Sequence, residues 1–406
     1  MSKNRPYNPF IKTIDIPDPY FCDREAETEE IIKLVKNGNN LLLKSPRRLG
    51  KSSLIYHVFN QKEINQTYNL MYIDLFGTKN AQDFAEEMVR AFKREQFTRS
   101  ARLKKQLPNF LRTLGLDISG ALLSDPVLPP SPLAPPASIQ FTIEEMFSFL
   151  EKTSKPNLVV FDEFQQIQFY PEAMAAKLRG IIQRLNNSRF IFSGSNRHLL
   201  TAMFNNVDEP FYKSTRIMDL DIIDRDMYWT FCSRLFLSYG KTLTEQAFDM
   251  AYYTFFNSTM AMQELMNELF ANTPAKGVAD EADIYTAIRH LLFEKDKNYR
   301  ELLDRMGNIK TRNTLRCIAL LGLATGLTST TVIRQYGLDN ASSVQNALNT
   351  LTDETTGLVV RISDKYYRLL DKYLELWFVE KAGFLEQRLM NSRELFHRER
   401  TLSVPV

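Results

Sequence analysis

Three consecutive residues near the start of the chain carry groups that bind phosphate and magnesium. Gly50, Lys51 and Ser52 end the pattern G-x-x-x-x-G-K-[ST], in which the lysine reaches the β- and γ-phosphates and the hydroxyl binds Mg²⁺. Ser45 replaces the first glycine, and a small residue can turn there if its dihedral angles lie in the ordinary β or α regions. The sequence therefore predicts a phosphate-binding loop. Its predicted contacts are Ser45, Pro46, Arg47, Arg48, Leu49, Gly50, Lys51, Ser52 and Ser53.

Two adjacent carboxylates follow an apolar run later in the chain. The run Leu158–Phe161 predicts a strand, and Asp162 and Glu163 stand at its C-terminal end, where ligands bind in open α/β sheets. Asp162 suits the Mg²⁺ shell, directly or through water, and Glu163 could polarise an attacking water as a general base. The alternative is a pair of acids at the positive end of a helix. That alternative explains one carboxylate, but not the strand together with the loop.

A third apolar run, Phe190–Phe192, ends in polar residues that could sense a γ-phosphate. Ser193, Ser195 and Asn196 would stand beside the two carboxylates if their strands are neighbours. We predict a catalytic role for Ser195. A cationic group could complete the site in cis or across an oligomer, although each candidate fits a surface role as well. The candidates are Arg197, which we assign to catalysis, Lys213 and Arg216.

Apolar runs that alternate with helical patterns indicate how these residues are positioned. The predicted strands are Leu41–Leu43, Leu70–Leu75, Leu158–Phe161 and Phe190–Phe192. The predicted helices follow the phosphate-binding loop and occupy Ala81–Gln96 and Met174–Leu185. This alternation predicts an α/β fold with a parallel, doubly wound sheet. The proline-rich segment Asp125–Ser138 predicts an extended surface insertion, which is either a linker or a docking site for a partner's aromatic groove.

The second half of the chain is predicted to be mainly helical. We predict a core at 1–221, a helical segment at 222–295, a winged helix-turn-helix at 296–378 and a helical tail at 379–406. The winged helix is predicted because three short helical patterns precede two strands that flank the turn Ser363-Asp364-Lys365.

Six segments in this order resemble a known family. They are YFCDREAE, SPRRLGKSS, YIDLFGT, VVFDEF, FSGSNRHLL and the winged helix, and they resemble the archaeal-type P-loop ATPases of the signal-transduction (STAND) branch of the AAA+ relatives, many of which are bacterial. The resemblance covers about Asn8 to Phe378. It implies a P-loop ATPase core with ATP and Mg²⁺ as cofactors, a helical lid, and a winged helix that packs on the core or swings from it.

The resemblance also places the turn Phe21–Glu25 near the adenine, with Phe21 and Arg24 as nucleotide contacts. Two positions depart from the family. Asp23 stands where glycine is more usual, and Asn257–Gln263 lacks the glycine-x-proline signature of many relatives.

Composition limits the classes of partner and location. The formal net charge is +3, which by itself argues for no partner. The three cysteines form no C-x-x-C pair, and the four histidines have no metal-ligand spacing. The polar N-terminus lacks a secretory signal, and no run approaches the roughly 20 apolar residues of a membrane helix. These features predict a cytoplasmic protein that is not inserted in a membrane.

Duplex DNA is a candidate partner at two places. The third helix of the predicted winged helix, SSVQNALNTLTDE, has no basic residue but offers hydroxyl and amide groups, and the wing carries Arg361, Lys365 and Arg368. Basic and acidic residues are nearly balanced around them, which is a poor footprint for duplex binding. The segment 90–105 is more basic, and it is either a phosphate-binding surface or a solvated helix face. Its basic residues are Arg90, Lys93, Arg94, Arg99, Arg102, Lys104 and Lys105.

The sequence thus favours an ATP-binding switch with slow ATPase activity, which binds ATP and ADP and can form homo-oligomers or contact a protein partner. The alternative is a DNA-binding protein whose nucleotide site controls loading. A scaffold with a decayed nucleotide site is less favoured, because Lys51, Ser52, Asp162 and Glu163 are all present.

Overall fold

The structure is a computed structural model, and it describes residues 6–94, 106–107, 110, 136–171, 173–353 and 357–403. The chain divides into two compact units. The core unit is Ile14–Asp221, and the helical unit combines Met1–Thr13 with Ile222–Val406.

A five-stranded parallel sheet forms the centre of the core unit. Its strands are β1 (Leu41–Lys44), β2 (Asn69–Asp74), β3 (Asn157–Asp162), β4 (Ser188–Gly194) and β5 (Arg216–Asp219). Their spatial order is β2-β3-β4-β1-β5, and every pairing is parallel. The carboxyl ends of β1, β3 and β4 therefore meet at one edge of the sheet, which is where the predicted site residues follow the strands.

Helices cover both faces of this sheet. They are α1 (Glu25–Lys36), α2 (Lys51–Asn60), α3 (Lys62–Asn65), α4 (Ala81–Lys93), α5 (Pro136–Glu151), α6 (Met174–Ile182) and α7 (Arg197–Asn205), with 3₁₀ helices at Asp18–Tyr20 and Phe164–Phe169. One apolar layer packs Leu54 and Val58 of α2 against the sheet, and a separate layer packs Phe84 and Met88 of α4 on it. Burial on both faces explains why the inner strands are almost continuously apolar.

Two assignments from sequence need correction in the core unit. Residues 111–135, which hold most of the predicted insertion, lie outside the described residues, but Pro136–Ser138 form the first turn of α5. Proline is compatible with a first helical turn because its missing N–H has no intrahelical partner there. The strand β5 was not predicted. It is short and its side chains are mostly exposed, so it lacks an apolar pattern.

The helical unit begins with four helices and a short two-stranded sheet. The helices are α8 (Arg225–Ser238), α9 (Glu245–Phe255), α10 (Thr259–Asn272) and α11 (Glu281–Met306), and the strands are β6 (Thr242–Leu243) and β7 (Val278–Ala279). A capping box at Asp280 and Asp283 fixes the start of α11. The predicted boundary at 295/296 falls inside α11, so the helical segment and the winged helix share one continuous helix.

The start of the chain packs in the helical unit rather than in the ATPase core, to which the sequence assigned it. Phe10 is fully buried against the rings of Phe231, Phe236 and Phe270. The Asn267 side chain donates to the Phe10 carbonyl at 2.7 Å. An apolar ring and a satisfied backbone therefore hold this segment against α8 and α10.

The winged helix and the tail complete the helical unit. Its elements are α12 (Ile309–Leu321), β8 (Ala324–Thr325), α13 (Thr330–Tyr336), α14 (Ala341–Thr352), β9 (Val359–Ser363), β10 (Tyr366–Leu369), α15 (Lys372–Lys381), α16 (Leu385–Met390) and α17 (Ser392–Ser403). The three strands pair in the order β8-β10-β9. The boundary predicted at 378/379 falls inside α15. Buried Glu375 of α15 pairs with Lys372 and with Arg388 of α16, which ties the tail to the domain.

Candidate nucleotide-binding site

The loop between β1 and α2 has the backbone geometry that the sequence required. Gly50 adopts φ +87° immediately before α2, a left-handed conformation that favours glycine. Ser45 is buried and has no positive φ, so it meets the condition for replacing the first glycine. The Arg48 backbone is left-handed as well, at φ +69°, and the side chain of Leu49 is buried. The loop therefore reverses without a glycine at its first position.

The start of α2 offers a binding site for phosphate. The first N–H groups of a helix have no intrahelical partner, and the helix dipole favours an anion there. Those groups belong to residues that follow Gly50, and Lys51 and Ser52 are the first two residues of α2. Backbone donors, an ammonium and a hydroxyl thus face the same end of the helix.

Lys51 is a buried cation that lacks a partner among the described residues. Its side chain is 7% exposed, and no residue in the described part of the chain forms a hydrogen bond or an ion pair with it. Burial lowers the pKa of Lys51, while the negative charges of Glu163 and Asp162 act in the opposite direction. A buried ammonium without a partner is costly, so this position fits a ligand that carries negative charge, such as a phosphate.

Asp162 is the centre of a hydroxyl network at the end of β3. Ser52 Oγ donates to Asp162 Oδ2 at 2.8 Å, and the hydroxyl of Tyr72 donates to the same oxygen. Ser193 Oγ and the Glu163 N–H both donate to Oδ1. Asp162 is 5% exposed, so these donors stabilise a buried carboxylate. The structure therefore brings together the two residues predicted to hold Mg²⁺.

This donor set fits Mg²⁺ only in the presence of a nucleotide. Among the described residues, no group of three or more His, Cys, Asp or Glu side chains converges as a metal site. Mg²⁺ is commonly held by one or two protein oxygens together with substrate phosphates and water. Ser52 and Asp162 can supply that protein share.

Tyr72 is a site residue that the sequence analysis missed. It lies in the middle of β2, and burial together with the Asp162 carboxylate raises the pKa of its hydroxyl, which keeps it a hydrogen-bond donor. Its position two residues before Asp74 becomes informative only once the register of β2 and β3 is known, in which Asp74 pairs with Asp162. Residues two apart on a strand share a face.

Glu163 is held by the end of β4. Its backbone is left-handed at φ +51°, and its Oε2 accepts from Ser195 Oγ at 2.8 Å, from Ser195 N–H at 3.3 Å and from Gln165 Nε2 at 2.5 Å. Arg47 Nε in turn donates to Ser195 Oγ at 3.2 Å. Gln165 was not predicted. Gly194 leaves the space for it, because a Cβ there would lie 2.1 Å from Gln165 Oε1.

Two of the predicted arginines have partners within the core unit. Arg24 is buried, and its guanidinium donates to Glu27 at 2.7 Å and to the Asp221 carbonyl at 2.6 Å, while its predicted nucleotide contact stays a prediction. Arg197 pairs with Asp219 at 3.1 Å, and its predicted catalytic role stays a prediction. Both guanidinium groups satisfy acceptors of the core unit.

Four other predicted residues lie in the loop, in α2, or in contact with α2 or α7. Asn196 caps α7 by accepting from the Leu199 N–H at 3.0 Å. The ring of Phe21 stacks on His57, with centroids 4.1 Å apart. Pro46 and Ser53 are half-buried in the loop region. The adenine contact predicted for Phe21 stays a prediction.

A parallel sheet with a phosphate-binding loop after β1 and paired acids after β3 defines a P-loop ATPase. A family model described as an ATPase domain predominantly from Archaea matches residues 21–255, and the chain belongs to this family of ATP-hydrolysing enzymes. A model of a probable winged helix domain matches residues 297–380. The predicted fold class is confirmed.

Solved structures support the same fold. The Walker-type ATPase of Pyrococcus abyssi has a TM-score of 0.58 at 18% identity, and the match covers 91% of this chain and 99% of that one. The ORC2 protein of Aeropyrum pernix, solved in ADPNP and ADP complexes, has a TM-score of 0.54 at 13% identity, with coverage of 97% and 98%. No curated protein sequence gives a significant match.

In the described ranges, the structure has no helix both long and apolar enough to span a membrane.

Proposed function

We propose that this ATPase is a nucleotide-controlled switch that binds MgATP in the core unit and hydrolyses it slowly. The observation that carries the proposal is the convergence of Lys51, Ser52, Asp162 and Glu163 at one edge of the sheet. Six ordered sequence motifs support the finer assignment to the signal-transduction (STAND) branch and to a bacterial member. A nucleotide can control the winged helix only if two arrangements bind it with different affinity.

Each residue of the cluster has a distinct proposed role. Lys51 and the N-terminus of α2 neutralise the phosphates, and Ser52 with Asp162 would hold Mg²⁺, which would neutralise charge on the phosphate oxygens. Glu163 orients the attacking water. Its Oε2 already accepts three hydrogen bonds, whereas Oε1 has no donor among the described residues. Because one of its two carboxylate oxygens is already engaged by hydrogen bonds, Glu163 supports slow rather than fast turnover.

Two substitutions separate binding from turnover. Lys51→Ala removes the buried cation, and we expect it to abolish ATP binding as measured by isothermal titration calorimetry. Glu163→Gln preserves the shape of the side chain but removes the base, so ATP affinity should stay within about threefold while kcat falls at least ~100-fold. Lys62→Gln, an exposed charge on α3, is the matched control for charge removal. Unchanged ATP affinity in Lys51→Ala would contradict the proposal.

Duplex DNA binding by the winged helix is the second candidate function. One observation favours it: Ser342, Gln345, Asn346 and Asn349 of α14 are exposed at helical spacing and present uncharged hydrogen-bonding groups. The wing supplies fewer phosphate contacts than the sequence predicted, because Arg368 is buried and pairs with Glu399 at 2.8 Å.

The basic segment 90–105 adds little support for DNA binding. Arg90 pairs with Glu87, and Arg94 donates to the Tyr72 carbonyl at 3.2 Å. Residues 95–105, which carry the other predicted contacts apart from Lys93, lie outside the described residues.

A salt series tests the DNA proposal. If α14 enters the major groove, the doubly substituted Gln345→Ala, Asn349→Ala variant should bind duplex DNA at least ~10-fold more weakly in fluorescence anisotropy. The affinity of the unmodified protein should fall steeply between 50 and 200 mM salt, by about 10-fold or more. Absence of binding at low salt would exclude this function and leave the ATP switch unaffected.

A further inference from the structure

Two hydrogen bonds link the phosphate-binding loop to the proposed catalytic carboxylate. Glu163 Oε2 accepts from Ser195 Oγ at 2.8 Å, and Ser195 Oγ accepts from Arg47 Nε at 3.2 Å. The guanidinium of Arg47 is therefore separated by a single side chain from the group proposed to polarise the attacking water. Because that water must approach the γ-phosphorus, the guanidinium lies close to the expected position of the γ-phosphate.

Most of the hydrogen-bonding capacity of Arg47 is unused. A guanidinium has five N–H donors in a planar fork, and within the described ranges only the Nε donor of Arg47 has a partner. The side chain is half-buried, so its two Nη nitrogens remain accessible to a ligand. Such a fork matches the oxygens of a phosphate in a bidentate manner, which the point charge of Lys51 cannot do.

The other cationic candidates are placed differently. Arg197 pairs with Asp219 at 3.1 Å, and the ammonium of Lys213 lies 5.1 Å from the ring centre of Tyr212. Arg216 is exposed on the edge strand β5. Among the residues that the structure describes, none of these three cations hydrogen-bonds to the carboxylate network, whereas Arg47 does.

We propose that Arg47 is the cationic group that completes the ATPase site in cis, with its Nη nitrogens on the γ-phosphate of ATP. This inference rests on the proposed function. In hydrolysis the oxygen of water bonds to the γ-phosphorus as the bond to the β,γ-bridging oxygen breaks, Glu163 takes the proton, and ADP and phosphate are the products. Arg47 stabilises the charge on the γ-phosphoryl oxygens and distinguishes ATP from ADP.

Arg47→Gln tests this role by removing the charge and the fork. We expect kcat to fall at least ~100-fold, as for loss of a donor that stabilises a transition state. Calorimetry with ATPγS and with ADP gives a readout independent of turnover: the affinity for ATPγS should fall about 10-fold or more, since one bidentate ionic contact is lost, while ADP affinity stays within about twofold. Arg47→Lys should recover part of the ATPγS affinity but little of kcat.

The outcomes distinguish this inference from the proposed function. If the unmodified protein binds no ATP, the proposed function itself fails. If the unmodified protein binds and hydrolyses ATP, two results with Arg47→Gln would overturn only the inference about Arg47. One is a kcat within about threefold of that of the unmodified protein, and the other is an equal loss of affinity for ATPγS and for ADP. Thermal melts identify misfolded protein. If Arg47→Gln does not fold, the inference is tested with Arg47→Lys instead. Equal kcat values in Arg47→Lys and the unmodified protein would overturn the inference, because the planar guanidinium would then not be required.

Discussion

At the scale of single residues, the site depends on how a buried carboxylate is hydrogen-bonded. Asp162 is almost fully buried and accepts hydrogen bonds from Ser52, Tyr72, Ser193 and a backbone N–H. Hydrogen bonds to a charged group are each worth about 1.5 to 3 kcal/mol. The nucleotide site is therefore also part of the stability of the core unit.

Tyr72→Phe should destabilise the core unit by about 1.5 to 3 kcal/mol, because the ring keeps its packing while Asp162 loses a donor. Equilibrium unfolding in urea, without nucleotide and followed by circular dichroism, measures the loss. The same substitution in an Asp162→Asn background should cost only about 0.5 to 1.5 kcal/mol, since the acceptor is neutral. Equal losses in both backgrounds would show that the charge-assisted hydrogen bond is not the source of the stability.

Residue types and spacing located part of this site. Lys51, Ser52 and Asp162 could be predicted because each occupies a fixed place after a buried strand, and the sheet brings those places together. Tyr72 and Gln165 could not, because their roles depend on strand register and on the space beside Gly194. The partners of Arg24 and Arg197 likewise include acceptors that are distant along the chain, the Asp221 carbonyl and the Asp219 carboxylate.

At the scale of elements, the predictable strands are those buried on both faces. β1, β3 and β4 are apolar runs because helices cover them on either side. β5 is recognised only by its pairing with β1, in which Leu41 lies opposite Arg216, because its own side chains are largely exposed. The first turn of α5 could not be predicted from the sequence, because it contains a proline that favours an extended segment but is also acceptable at that position of a helix.

At the scale of the whole molecule, the helical unit is discontinuous in sequence. The core unit is inserted between Thr13 and Ile222, and the chain crosses between the units twice. On the core side, Arg24 follows the first crossing and donates to the carbonyl of Asp221 at the second, at 2.6 Å. One buried guanidinium therefore ties α1's N-terminal end, ten residues after the first crossing, to the last residue of the core unit.

Phe10→Ala should destabilise the helical unit by about 3 to 5 kcal/mol, because a fully buried ring is lost from an aromatic cluster. Both tryptophans, Trp229 and Trp377, belong to this unit, so tryptophan fluorescence reports its unfolding selectively. ATP affinity, which resides in the core unit, gives the second measurement and should change by less than about threefold. Tyr7→Ala is the matched control, since Tyr7 is 91% exposed. An equal effect of both substitutions would mean that the segment is not anchored through Phe10.

The burial of Phe10 has a consequence for the order of events on the ribosome. Its partners Phe231, Phe236 and Phe270 are translated long after it. At about 5 to 20 residues per second, the roughly 260 residues from Phe10 to Phe270 take about 13 to 50 s to synthesise. The pocket for the ring is complete only at the end of that interval, whereas all five strands of the sheet are translated by Asp219, before the first of these partners. The ATPase core can thus fold during translation, and the segment that precedes it must wait for nearly two thirds of the polypeptide before it can dock.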